Sequence, residues 1–212
     1  AEDNDGIIWA GTYGSGLYKI SNFEVTDHYT ASDKNKPTIA CNIVNSLMFD
    51  NSTDELYIGG WSNGISILNI KNSEFRYFSH NLDDENSLSD NRTKFIFKDS
   101  RQKIWITTQN GLTCFDKTNN NFRGFFHDNS NLNSISNNVL TGICEDFDGN
   151  IWIGTRNHGI NRLDVKNNMF DSFKYYKTDE HSLSINETLM LYRDRTNVVW
   201  IGTWGGGVCT VD

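Results

Sequence analysis

The stretch Asp146-Phe147-Asp148-Gly149-Asn150-Ile151-Trp152-Ile153-Gly154-Thr155 reads as a tight turn leading into a strand. Asp148-Gly149 supplies hairpin chemistry, because glycine takes a positive φ without steric cost. Before the turn, Val139 to Glu145 reads as a first strand. After a short loop, Gly159-Ile160-Asn161-Arg162-Leu163-Asp164 opens a third, and the pair Phe170/Phe173 marks a fourth.

This unit recurs. Ile8-Trp9-Ala10-Gly11-Thr12, Leu56-Tyr57-Ile58-Gly59-Gly60, Ile104-Trp105-Ile106-Thr107-Thr108 and Val199-Trp200-Ile201-Gly202-Thr203 align with Ile151 to Thr155. The aromatics Trp9, Tyr57, Trp105, Trp152 and Trp200 are spaced by 48, 48, 47 and 48 residues. Gly16, Gly64, Gly111, Gly159 and Gly207 follow them, and the pairs Asn42/Asp50, Asn91/Asp99, Asn138/Asp146 and Asn186/Asp194 precede them. A polar loop containing Ser87-Leu88-Ser89, Ser134-Ile135-Ser136 or Ser182-Leu183-Ser184 joins one unit to the next.

Four strands in a unit of about 48 residues define a β-propeller blade. A helical repeat would need a period of 3.6 residues, which is absent, and a β-solenoid needs a much shorter unit. The expected fold is all-β, with blades of four antiparallel strands in a partial or excerpted propeller. One propeller segment, 1–212, divides into a partial blade 1–36, blades 37–84, 85–131 and 132–179, and a partial blade 180–212. A closed five-blade ring is the alternative. Each repeated aromatic is expected to pack between neighbouring blades, in every unit. The turn at Ile20-Ser21-Asn22-Phe23 reads as about four residues shorter than its counterparts.

The net charge of -8 disfavours nucleic acid, since an acidic surface repels phosphate. No apolar run is long enough for a helix to span a bilayer, so no membrane contact is expected of this segment. Cys41, Cys114, Cys144 and Cys209 are scattered and form no ligand cluster.

The motif D-x-x-G-x-I-W-I-G-T-x-x-x-G-[IL], cleanest from Asp146 to Ile160 and preceded by S-L-S-x-N as at Ser182 to Asn186, resembles the two-component regulator propeller repeat. Tyr57 and Gly60, and Thr107 where Gly is usual, depart from it. The resemblance implies the periplasmic sensor region of a hybrid two-component histidine kinase responding to glycan fragments. Its expected partners are an oligosaccharide ligand and either a second copy of the chain or further blades of a longer one.

No nucleophile motif, metal-ligand spacing or phosphate loop is present, so no catalytic residue, metal or cofactor is expected. Asp146-x-Asp148-Gly149-Asn150 lacks the bidentate Glu of a calcium loop. His28, His80, His127, His158 and His181 read as exposed loop residues. Asp83-Asp84-Glu85 and Asp179-Glu180 read as solvated loop charge, the alternative being a glycosidase-type pair. Four residues past each aromatic, however, the loop carries Tyr13, Trp61, Gln109, Arg156 and Trp204, with Asn63 and His158 nearby. Flat aromatic faces suit sugar rings, and Arg, Asn and Gln bind hydroxyls or carboxylates. These seven form the expected ligand site; packing on a neighbouring blade or a second subunit would equally explain Trp61 and Trp204.

Overall fold

The computed structural model describes residues 1–33 and 37–211. The described residues form strands and no helix. The first sheet holds β1 (Ile8–Gly11), β2 (Leu17–Ser21) and β3 (Glu24–Tyr29). The second holds β4 (Val44–Asp50), β5 (Glu55–Gly60), β6 (Ile65–Asn69) and β7 (Glu74–Phe78). The third holds β8 (Thr93–Lys98), β9 (Ile104–Thr108), β10 (Leu112–Asp116) and β11 (Asn121–Phe125). The fourth holds β12 (Leu140–Glu145), β13 (Ile151–Thr155), β14 (Ile160–Asp164) and β15 (Met169–Phe173). The fifth holds β16 (Thr188–Arg193), β17 (Val199–Thr203) and β18 (Val208–Val211). All neighbours pair antiparallel in chain order, so each sheet is a simple meander. The all-β architecture of four-stranded blades is as the repeat predicts.

Successive sheets pack face to face. Each junction has its own core, built around Trp9 with Leu56, Tyr57 with Phe115, Trp105 with Ile153, and Trp152 with Ile201. β5, β9 and β13 are buried along both faces, because a sheet lies on either side. β17 instead alternates, with Val199, Ile201 and Thr203 buried and Trp200 42% exposed. The expectation that every repeated aromatic is interleaved fails at Trp200. Its ring faces the outer side of the fifth sheet, where no further sheet covers it, and the blades form an open arc.

The polar inter-blade loops also carry core. Ile39, Leu88, Ile135 and Leu183 are buried between sheets, each plugging the junction that its loop crosses. Burying one such side chain contributes roughly 1.5–3 kcal/mol. The early turn is shorter by two residues rather than four. Asn22 and Phe23 alone connect β2 to β3, whereas 70–73 connect β6 to β7, and a bulge at Lys19/Ile20 takes up part of the difference.

Candidate functional site

The repeated Asn joins one blade to the next. Asn91 Oδ1 accepts the His80 N–H at 2.7 Å, and its carbonyl accepts the Gly64 N–H at 3.1 Å. Asn42, Asn138 and Asn186 repeat both contacts, to Ala31 and Gly16, His127 and Gly111, and Tyr175 and Gly159. The glycine is required because its φ is positive (73° at Gly159) and a Cβ there would run into the Phe173 carbonyl oxygen. This latch fixes the loop between second and third strands, and with it the candidate residues.

Three positions after the Asn, the first strand bulges. Asn45, Lys94, Thr141 and Leu189 mark the places where the register against the second strand slips. Beyond the bulge the loop residue resumes pairing. Trp61, Gln109, Arg156 and Trp204 donate their N–H to Ile43, Arg92, Val139 and Glu187 at 2.9–3.1 Å. A bulge re-aims side chains and sharpens the local twist. Since β4, β8, β12 and β16 lie side by side at the inner edge of the arc, bulges and loop residues from several blades meet at one end of it.

They line an open cavity of about 620 Å³, a volume suited to a small ligand. Trp61, Gln109, Arg156 and Trp204 come from the loops, Lys94, Thr141 and Leu189 from the first strands, and Glu187 from the residue just before β16. Trp204 is 65% exposed and Trp61 40%. The Lys94 ammonium sits 4.4 Å from the centre of the Trp61 ring. Burial, and then the Arg156 guanidinium, pull the Lys94 pKa down.

The other three candidates lie outside this lining. Tyr13 is exposed and bridges to Ile43. Asn63 has a φ of 62° and donates through Nδ2 to the Ala40 carbonyl at 2.9 Å, tying its loop to the segment before β4. His158 Nδ1 contacts Asn137 Nδ2 at 3.1 Å and its backbone N–H donates to the Thr155 hydroxyl at 2.9 Å, and burial, then Lys174 and His127, lower its pKa. Lys94, Thr141, Glu187 and Leu189 escaped the sequence reading. Their repeat positions, one and three after the Asn, vary between copies in the same way as the loop residues, and that variation was the available signal.

Other expected bystanders take structural roles. His80 and His127 are not free loop residues: each contacts the carbonyl of the plugging Leu88 or Ile135 through Nδ1, at 2.6 and 2.8 Å. Asp84 caps a turn by accepting the Asn86 N–H, and Asp146 accepts from Asn150 and from the Trp152 indole. No group of three or more metal-type side chains occurs among the described residues.

Residues 133–157, which hold the Asn138 latch, the Thr141 bulge, the Asp146 turn and Trp152, match the family described as two component regulator propeller. The chain carries a two component regulator propeller repeat. Over its whole length, the chain superimposes on the extracellular domain of a B. thetaiotaomicron protein described as a hybrid two component system. The TM-score is 0.85 at 20% identity, and the chain spans 28% of that one's length. PorZ, a surface component of the type-IX secretion system of Porphyromonas gingivalis, gives 0.72 at 17% identity, with 100% of this chain and 31% of that one covered. Virginiamycin B lyase from Staphylococcus aureus gives 0.69 at 13%, with 100% and 65% covered. At such identities the likeness is one of fold. No curated protein matches the chain.

Proposed function

We propose that the chain is the ligand-reading part of a sensor propeller outside the cytoplasm, and that it binds an oligosaccharide without chemical turnover. The observation that carries this reading is the cavity where Trp61 and Trp204 stand with Gln109 and Arg156. Two indoles offer apolar faces to sugar rings, and the amide and guanidinium offer donors to ring hydroxyls. The regulator propeller repeat, and the fold shared with an extracellular domain described as part of a hybrid two component system, support the sensor role. Signalling follows if the ligand binds one arrangement of the arc better than another and so shifts their populations.

The positions of the carboxylates argue against catalysis. Asp83, Asp84 and Glu85 sit on an inter-blade loop outside the cavity lining, Asp83 and Asp84 engaged in turn hydrogen bonds, and Glu187 is the one carboxylate of that lining. A lyase shares the fold, but fold alone does not carry activity. Calorimetric titration with a panel of oligosaccharides of differing sugar and linkage tests the proposal. Saturable heat with at least one member is expected. No heat from any of them, with the far-ultraviolet spectrum of a folded all-β chain, would overturn it in favour of a protein-interaction scaffold.

A further inference from the structure

The charges inside the cavity differ from those of the chain around it. The chain carries -8, yet Lys94 and Arg156 both line the cavity, against the single carboxylate of Glu187. Neither cation belongs to an ion pair among the described residues, although Lys98, Lys103 and Lys117, partly buried like Lys94, all do. Lys94 rests instead on the Trp61 ring, a weaker partner than a carboxylate.

We infer that the cavity selects an acidic oligosaccharide, with a sugar carboxylate or sulfate held between Lys94 and Arg156 and a ring stacked on Trp204. This rests on the carbohydrate reading above and narrows it. Two unpaired like charges lining one open cavity repel each other, and an anion placed between them removes that repulsion while forming charge-assisted hydrogen bonds. Burial first, and the Arg156 charge second, lower the affinity of Lys94 for its proton. Arg156 can meet a carboxylate or sulfate with two parallel N–H groups, and Lys94 adds a point charge. Glu187, the one carboxylate of the lining, can accept hydroxyl hydrogens from the sugar. Trp204, the more exposed indole, has no cation on its face among the described residues, which leaves that face to a sugar ring.

The test compares matched ligands on the unmodified chain: oligogalacturonates of three to six units against their fully methyl-esterified forms, and sulfated against unsulfated keratan oligosaccharides, which are neutral without sulfate. At least one acidic member is expected to bind about tenfold or more tighter than its neutral match, the size of one charge-assisted hydrogen bond. The preference should shrink between 50 and 500 mM salt, and both Lys94→Gln and Arg156→Gln should reduce it by about tenfold with the thermal midpoint retained. Carboxylate and sulfate series separate the two anion sources. Neutral sugars binding as well as acidic ones would overturn the charge inference and leave the carbohydrate reading standing. Silence from every sugar, acidic and neutral, on a folded chain would remove both.

Discussion

The indole Nε1 of Trp105 donates to Asp99 Oδ2 at 2.9 Å, with both side chains buried between blades. The other oxygen of Asp99 accepts the Arg101 and Lys103 N–H groups of the turn at 2.9 and 2.8 Å. One carboxylate therefore closes the hairpin and satisfies the one polar atom of the interleaved ring. Trp9 with Asp3, Trp152 with Asp146 and Trp200 with Asp194 repeat the arrangement at 2.7–2.9 Å. In the second blade the ring is Tyr57, whose hydroxyl donates to Glu55, and Asp50 is claimed instead by Lys98 and Lys117. The change of ring and the change of charge partner go together.

Replacing Asp99 by Ala should cost about 2–4 kcal/mol, since a buried indole N–H and two turn N–H groups lose their acceptor together. Asp194→Ala should cost clearly less, because Trp200 is 42% exposed and water can take over. Urea unfolding of the two variants gives the comparison, and equal losses would contradict the role assigned to burial.

Asp50 predicts an acid sensitivity. Burial pushes its carboxyl up, but the Lys117 and Lys98 ammoniums and Ser52 outweigh this and hold it below its ordinary value. The folded state thus ionises it more readily than the unfolded chain does. Its stabilisation is complete above the unfolded pKa of about 3.9 and is lost as the pH falls through and below that value. Asp50→Asn should be less stable than the parent at pH 7, and the gap should narrow between pH 5 and pH 2 in thermal midpoints.

Equivalent glycines should differ. Gly159→Ala places a methyl against the Phe173 carbonyl at a φ of 73°, whereas Gly207→Ala has a similar φ of 77° and open space around it. The second should cost about 1–2 kcal/mol from backbone strain alone, and the first more. Denaturant midpoints measure the difference.

Trp204→Ala should weaken oligosaccharide binding by about tenfold or more with little change in thermal midpoint, since a stacked exposed ring contributes to the ligand rather than to the core. Tyr13→Ala should leave affinity unchanged, because Tyr13 lies outside the cavity lining. Titration of both variants with one bound sugar separates the two loop positions.

The repeat was legible in the sequence because its causes are local. Hairpin turns need Asp-Gly chemistry, strands need apolar alternation, and the latch needs a glycine that accepts a positive φ. Trp9, Trp105 and Trp152, the latch glycines and the three-stranded sheets at either flank follow from residue order alone. What lies across a strand is not local. The exposure of Trp200 depends on whether another sheet covers it, and the burial of Leu88 in a polar loop depends on how two blades close on it. Likewise the bulges that aim Lys94, Thr141 and Leu189 inward arise from strand pairing. Which loop residues converge was decided by the rotation from blade to blade, which gathers Trp61, Gln109, Arg156 and Trp204 and leaves Tyr13 apart.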